Sequence, residues 1–274
     1  MSHTHDAEAW NGEQGKRWAA SADLMDRILS PVNQEILSAA ALGAGERAVD
    51  IGCGAGALTF AAAELVGPTG AALGVDVSAP LVEAARQRAA ATGSGAEFML
   101  ADAAQWRADA PMDAAISRFG VMFFADPASA FANIRANMKP GGRMVFACWR
   151  QPEEAELLSL PMKAVTPFFK EAPPRPEPNM PGPFGLADAE RTVSLLAKSG
   201  WKEIKVEGRD LTLTLTADDK DAFFDRTPIP DLIREQNLEE APIRAAYRAA
   251  LERVELVNGD VPLKSGIWRV SARA

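Results

Sequence analysis

Apolar runs alternate with helical stretches along the first half of the chain. Five short runs have the length and composition of strands: 47–52, 71–76, 96–100, 113–117 and 143–149. Strands that alternate with helices build a parallel sheet, because each right-handed crossover places a helix on one of its faces. The pattern predicts an α/β fold with a Rossmann-like, doubly wound sheet.

The segments on either side of this region have other patterns. Residues 6–43 are helical in pattern, and Ser30 is the predicted cap of a helix that runs to Leu42. Beyond Trp149, a helix over about 154–170 leads into 171–185, where the prolines are too dense for a helix or a central strand. We expect this proline-rich segment to be a lid or cover.

Regular patterns return near the end of the chain. A helix is predicted over 186–200, and the alternation over 201–216 is typical of an antiparallel strand. A helical insert covers about 218–256, with predicted breaks at 227–230 and Pro242, and a last strand covers 265–274.

These patterns divide the chain into four parts. We expect an N-terminal helical cap (1–45), a nucleotide-binding core (46–150) and a cover segment (151–185). The remainder (186–274) completes the core and carries a helical insert at about 217–262.

Composition and charge restrict the class of protein. Of 274 residues, 47% are hydrophobic and 24% are charged, as in ordinary globular proteins. The net charge of −8 with no basic run disfavours nucleic acid or an anionic membrane as partner. The polar start and the lack of a long apolar stretch predict a cytoplasmic protein. Cys53 and Cys148 form neither a disulfide framework nor a metal motif, so no metal is expected.

A glycine-rich turn, Gly52, Gly54 and Gly56, follows the first predicted strand. Missing side chains there let a nucleotide cofactor approach the backbone, and with Ala57 the turn also fits a dinucleotide motif. Asp50 at the strand end would repel a pyrophosphate and favours a cationic cofactor such as S-adenosylmethionine. Alternatively, Asp50 only caps the following turn or helix.

Two further carboxylates follow the next two predicted strands. Asp76 comes 20 residues after Gly56, the spacing at which a carboxylate accepts both ribose hydroxyls, also in NAD enzymes. Alternatively, it only precedes the helix that Ser78 caps. Asp102 could accept from an adenine amino group, with the Ala103 N–H directed at a ring nitrogen.

Five ordered motifs resemble those of class I S-adenosylmethionine-dependent methyltransferases: "VDIGCGAG", "GVDVSAPL", "ADAA", "DAAISRFGVMFFADP" and "MKPGGRMVFACW". The resemblance covers roughly 46–150 and is strongest to the small-molecule branch similar to the ubiquinone/menaquinone C-methyltransferases. It implies a seven-stranded sheet with an antiparallel last strand, with S-adenosylmethionine bound over the ends of the first four strands.

The resemblance also implies roles for individual residues. Asp50 would bind the cofactor's ammonium through water, Asp76 the ribose, and Asp102 with Ala103 the adenine. Val77 would pack on the adenine and Ser117 would contact the methionine part. Residues 139–142 would form the turn into strand five, and "SRFG" (117–120) departs from the motif of amino-methylating nucleic-acid enzymes.

Aromatic side chains are expected around the same site or its lid, although core packing is an alternative for each. They are Trp10, Trp18, Phe119, Phe123, Trp149 and Phe184. Trp10 and Trp18 are eight residues apart and would share a helical face that closes over the cofactor, or else packs on the sheet edge. Arg118 would bind an acidic substrate group or form a structural salt bridge.

The sequence offers little to activate a nucleophile. His3 and His5 are the only histidines and Tyr247 the only tyrosine, which disfavours histidine-based and metal-dependent O-methylation. We predict a methyltransferase for a small molecule that arrives nucleophilic, acting as a monomer or homodimer. The alternatives are a nicotinamide-dependent oxidoreductase, disfavoured because Leu251 stands where Tyr247 would need a lysine partner, or a non-methylating S-adenosylmethionine-binding protein.

Overall fold

The computed structural model describes residues 7–173 and 179–274. His3, His5 and part of the predicted proline-rich cover (174–178) lie outside the described residues.

Seven strands form one sheet in the order β3-β2-β1-β4-β5-β7-β6. The first five strands are parallel, and β7 lies antiparallel between β5 and β6. The predicted doubly wound sheet with its antiparallel last strand is confirmed. The strands are β1 (Arg47–Ile51), β2 (Ala71–Asp76), β3 (Glu97–Leu100), β4 (Met112–Arg118), β5 (Met138–Trp149), β6 (Lys202–Leu215) and β7 (Val261–Arg273).

Helices flank the sheet along the described chain. Helix α4 packs across β4 to β7, α5 against β1 and β2, α6 against β2 and β3, and α9 against β6. The helices are α1 (Ala7–Asn11), α2 (Glu13–Ala20), α3 (Ala22–Ile28), α4 (Ser30–Ala40), α5 (Ala57–Val66), α6 (Ala79–Thr92), α7 (Pro127–Ala136), α8 (Glu156–Val165), α9 (Ala189–Lys198), α10 (Asp219–Arg226), α11 (Ile229–Glu235) and α12 (Glu240–Glu252).

Several predicted boundaries were wrong for local reasons. Ser30 is the first residue of α4 rather than its cap. Pro242 does not break a helix, since it lies in the first turn of α12, where a missing N–H removes no intrahelical bond. The chain breaks earlier, between α11 and α12. Residues 139–142 lie within the bounds of β5, but the pairing with β4 passes from Met138 directly to Arg143 and Gly141 has a positive φ, so the predicted turn is an irregularity at the start of the strand.

The core of the sheet is apolar on both faces. Ile116, Phe131, Phe146 and Val270 are completely or almost completely buried. Strands buried on both faces are typical of parallel sheets with helical cover. Within the two described ranges, no helix is long and apolar enough to cross a membrane.

The helical insert between β6 and β7 packs against the N-terminal helices. Arg27 on α3 bonds to Asp219 of α10 at 2.6 Å, and Arg17 on α2 bonds to Asp231 of α11 at 2.6 Å. The N-terminal cap and the helical insert therefore meet over the sheet.

The turns after β1 and β4 touch each other through bare backbone. A Cβ added to Gly52 would lie 2.7 Å from the Cα of Gly120, and one added to Gly120 would lie 2.5 Å from the carbonyl oxygen of Ile51. The Ser117 hydroxyl donates to that same Ile51 carbonyl at 2.6 Å. Both glycines are therefore required by the close approach.

We expect Gly120→Ala to lower the free energy of unfolding by about 1–3 kcal/mol, because the new methyl group overlaps backbone that cannot move independently of β1. Urea unfolding followed by circular dichroism measures the change. Gly95→Ala is the matched control, since a Cβ there meets nothing within 4 Å and we expect a change within about 1 kcal/mol. Equal effects of the two substitutions would contradict the packing argument.

Candidate active site

The glycine-rich turn lies at the carboxyl ends of the parallel strands, where ligands bind in open α/β sheets. Gly52, Gly54 and Gly56 have φ values of 67°, 55° and 91°, in the left-handed region that favours glycine. A Cβ added to Gly54 would meet nothing within 4 Å, so the backbone there faces open space. A ligand can therefore lie directly against the main chain.

Asp50 is buried and incompletely hydrogen-bonded. One carboxylate oxygen accepts a bond from the Thr59 hydroxyl at 2.7 Å, and the other is buried with no partner among the described residues. Burial raises the pKa of Asp50 to about 7, although the Thr59 hydrogen bond and the charge of Arg118 oppose the shift. An unpartnered buried carboxylate oxygen is satisfied best by a cationic or donor group of a ligand.

Asp76 holds the turn and the start of α6 together. Its carboxylate accepts from Gly54 N at 2.8 Å and from Ser78 N at 2.9 Å. Burial raises its pKa, and the backbone hydrogen bonds act in the opposite direction. Each oxygen accepts only one of these bonds, so lone pairs remain for hydroxyl groups of a ligand. The predicted cap of the helix and the predicted ribose ligand are compatible.

The third predicted acidic residue lies at the outer side of the site. Asp102 is exposed, and its carboxylate accepts from Ala104 N at 2.8 Å. Ala103 is buried, and its carbonyl accepts from the Asn133 side chain at 2.8 Å. The turn after β3 is thereby attached to α7.

Helix α1 is attached to the turn that follows Asp76. The Asn11 side chain donates to the Val77 carbonyl and accepts from Ala79 N, both at 2.9 Å, and the Ser78 hydroxyl donates to the Trp10 carbonyl at 2.7 Å. The predicted continuous helix over 10–18 is wrong, because the chain breaks at Gly12. The N-terminal helices nevertheless lie over the carboxyl edge of β2.

A carboxylate on α3 connects the cap to the sheet. Asp26 pairs with Arg88 of α6 at 2.7 Å and with Arg118 of β4 at 3.3 Å. Arg88 also donates to the Ala55 carbonyl of the glycine-rich turn at 2.7 Å. Of the two roles predicted for Arg118, the structure shows the salt bridge. Ser117 is buried, and its hydroxyl donates to the Ile51 carbonyl and accepts from Gly120 N.

The predicted aromatic residues form two groups. Phe119, in left-handed backbone with a φ of 61°, stacks on Trp149 with ring centroids 4.1 Å apart. Strained backbone of this kind often occurs at functional sites. Trp10 contacts Trp18 at 6.0 Å and Phe123 at 5.4 Å, so the two tryptophans are in contact although they lie on separate helices and not on one helical face.

Phe184 belongs to the second half of the predicted cover. Its carbonyl accepts from Ala187 N at 3.2 Å, and the same segment is attached beside Phe123 through a bond from Gly182 N to the Met122 carbonyl. Phe184 itself is partly buried against the core. The cover therefore approaches the turn after β4 from outside the sheet.

Sequence reasoning missed Thr59, Gly120, Asn11 and Arg226. A threonine one turn into an alanine-rich helix was a signal for Thr59, and the glycine of "SRFG" was a signal for Gly120. Arg226 stacks over Trp18 at 3.3 Å from the ring centroid, a pairing of distant residues that no local pattern indicates.

Groups that could serve as a general base are few in the described part of the chain. Tyr247 is buried, its hydroxyl donates to the Lys220 carbonyl, and burial raises its pKa. Burial likewise raises the pKa of the Cys53 and Cys148 thiols. Residues 7–173 and 179–274 contain no cluster of three or more His, Cys, Asp or Glu placed to hold a metal ion.

A family model described as a methyltransferase domain matches residues 42–171. The chain contains a methyltransferase domain. The matched region includes β1 to β5, both buried carboxylates and the glycine-rich turn. The predicted family is confirmed, and so is its cofactor at the level of the family, which binds S-adenosylmethionine.

Curated relatives match about half of the chain. Aklanonic acid methyltransferase DauC from Streptomyces sp. (strain C5) is 32% identical over 132 residues, 46% of this chain and 60% of its own. The ubiquinone/menaquinone biosynthesis C-methyltransferase UbiE from Pseudomonas fluorescens (strain Pf0-1) is 30% identical over 145 residues, 50% of this chain and 57% of its own. The chain thus spans less than two thirds of the length of these relatives.

A solved structure shows the same fold over a longer range. Haemonchus contortus phosphoethanolamine N-methyltransferase 2, in complex with phosphomonomethylethanolamine and S-adenosylhomocysteine, aligns with a TM-score of 0.58 and 16% identity. The alignment covers all of this chain and 60% of the other. The likeness establishes the fold.

The residues of this methyltransferase domain fit S-adenosylmethionine. The unpartnered Asp50 oxygen suits its ammonium group, directly or through water, and Asp76 retains acceptor capacity for ribose hydroxyls. The open backbone at Gly54 leaves room for the ligand between these two carboxylates.

We expect Asp50→Asn to change how stability depends on pH. In the folded protein Asp50 keeps its proton up to about pH 7, whereas in the unfolded chain it loses it near its ordinary value of 3.8. Its favourable contribution is therefore complete below pH 3.8 and is lost as the pH rises to about 7, a difference of roughly 4 kcal/mol for the full range.

The measurement is the free energy of unfolding of wild type and Asp50→Asn between pH 4.5 and 8, without ligand. The variant should gain stability relative to wild type as the pH rises, and addition of S-adenosylhomocysteine should favour the wild type at pH 8. A difference between the two proteins that is independent of pH would show that Asp50 does not titrate as described.

Proposed function

We propose that this protein transfers a methyl group from S-adenosylmethionine to a small-molecule acceptor. The observation that carries the proposal is the buried, unpartnered oxygen of Asp50 beside a backbone turn that a ligand can approach closely. A buried carboxylate in this position stabilises a bound cation.

The same observation argues against a dinucleotide cofactor. A pyrophosphate at the glycine-rich turn would approach Asp50 and Asp76, both of which are buried. Like charges in a partly desolvated site repel each other strongly. This repulsion opposes the ionisation of the pyrophosphate, Asp50 and Asp76 together. S-adenosylmethionine has no phosphate and brings positive charge to the same place.

The protein's contribution to the reaction is alignment and exclusion of water. Bound S-adenosylmethionine supplies an activated methyl group on a positively charged sulfur. Asp50 and Asp76 hold and orient the two ends of the ligand. Helices α1 to α3, attached by Asn11 and Asp26, cover the site. A fixed, dry arrangement is an effective catalyst for an in-line displacement.

The acceptor is proposed to arrive as a nucleophile, for example as an amine, a thiol or a carbon next to an acidic hydroxyl. The described residues support this, because the tyrosine and both cysteines are buried with raised pKa values. Phe119, Trp149, Phe123 and Phe184 are proposed to position an apolar part of it, and Val77, Asp102 and Ala103 to hold the adenine.

Calorimetric titration with S-adenosylmethionine, S-adenosylhomocysteine and NADPH tests the cofactor. We expect micromolar dissociation constants for the first two and at least a tenfold loss of affinity in Asp76→Ala, which lacks the proposed ribose acceptor and the Gly54 bond. Asp113→Asn is the matched control, because Asp113 bonds to Arg47 N and Lys139 at the amino-terminal end of β4. Its affinity should equal that of wild type.

Acceptor screening then follows the release of S-adenosylhomocysteine with a panel of small amines, thiols, phenols and enols. Binding of NADPH alone would overturn the proposed function in favour of a nicotinamide-dependent oxidoreductase. Binding of S-adenosylmethionine without turnover of any acceptor class would favour a non-methylating binding protein.

A further inference from the structure

Arg226 ends helix α10 and points into the contact between the helical insert and the N-terminal cap. Its guanidinium carbon lies 3.3 Å from the centroid of the Trp18 ring, and Trp18 is in contact with Trp10. Trp10 in turn contacts Phe123, directly after β4. Arg226 is thus connected to the carboxyl edge of the sheet through a row of aromatic rings.

This arginine has no carboxylate partner among the described residues. Its Nε atom is buried without a hydrogen bond. The charge of Arg17 acts on Arg226, and Arg17 shares its own acid, Asp231, with Arg234. The positive charge at Arg226 is therefore not offset by a carboxylate partner of its own.

The Trp18 ring does not replace an acid. Stacking on an aromatic face stabilises a guanidinium, but its N–H donors lie in its plane and are directed past the ring. Burial and the charge of Arg17 lower the pKa of Arg226 to about 9, which leaves it charged at neutral pH. A partly buried cation with unused planar donors is suited to bind a carboxylate through two parallel hydrogen bonds.

Arg118 is the contrasting case. It was the residue predicted to bind an acidic substrate group, yet Asp26 and Asn33 occupy its guanidinium at 3.3 and 3.2 Å. Arg118 therefore has a carboxylate partner inside the fold, and Arg226 has none among the described residues.

We infer that Arg226 binds a carboxylate of the methyl acceptor, whose planar apolar body lies against the aromatic row of Trp10, Trp18 and Phe123. The inference rests on the proposed function and deepens it, because it names the acceptor class as a planar apolar acid. The acceptor site then lies between the cap and the insert, so that both of these segments contribute to it.

The test compares binding of 2-naphthoate with that of its neutral counterpart 2-naphthamide at constant ionic strength and pH 7.5. Titrations use the full chain, with and without saturating S-adenosylhomocysteine. We expect wild type to prefer the naphthoate at least tenfold and Arg226→Gln to lose the preference. Arg226→Lys, which keeps the charge but not the planar donors, should retain part of it.

Arg234→Gln is the matched control, since Arg234 is an exposed arginine of the same insert. It should keep the full preference, and circular dichroism verifies that each variant is folded. If Arg226→Gln does not fold, Arg226→Lys is the deciding variant. The inference is overturned if the preference of Arg226→Lys for naphthoate is less than threefold weaker than that of wild type.

Three further results would overturn it: no preference for naphthoate in wild type, an unchanged preference in Arg226→Gln, or a tenfold loss of S-adenosylhomocysteine affinity in that variant. The last would assign Arg226 to the carboxylate of the cofactor. A wild type that fails to bind S-adenosylhomocysteine but prefers naphthoate without it contradicts the proposed function and leaves Arg226 as a carboxylate-binding residue.

Discussion

Two buried carboxylates at the carboxyl ends of neighbouring strands are the constraint around which the site is arranged. Asp50 and Asp76 raise the cost of each other's ionisation, and the chain gives Asp50 only the Thr59 hydroxyl and the more distant charge of Arg118. Asp76 is better satisfied, because two backbone N–H groups donate to it. This imbalance leaves an unmet requirement for positive charge at the glycine-rich turn, which a cationic ligand fulfils.

The backbone next to these carboxylates is closely packed. The turns after β1 and β4 are in contact at Gly52 and Gly120, and Ser117 ties them together through the Ile51 carbonyl. Next to this contact, Phe119 has left-handed backbone and stacks on Trp149. Closely packed backbone thus lies beside the glycine-rich turn, and the N-terminal helices lie over the carboxyl edge of β2.

Charge pairing over long distances completes the cover. Asp26 joins the cap to α6 and β4, and Asp219 and Asp231 join the insert to the cap. Each of these pairs is partly exposed and contributes modestly to stability, but together they define which side chains face the interior. Arg226 lies in the same contact without a carboxylate partner among the described residues, and the inferred contact with the acceptor depends on this difference from Arg118.

The sequence by itself determined the alternation of strands and helices along the chain and the three acidic residues at strand ends, because periodicity and the spacing of glycines and carboxylates are local properties. The class of cofactor followed from Asp50 together with the resemblance of five ordered motifs to a known family. The helix break at Gly12 was missed, and a break was wrongly predicted at Pro242, because a helix break depends on the neighbouring turns. Only the tertiary structure decided which arginine, Arg118 or Arg226, has a carboxylate partner. Arg118 and Asp26 are 92 positions apart, and Trp18 and Arg226 are 208 apart, so their pairing depends on how the cap and the insert meet over the sheet.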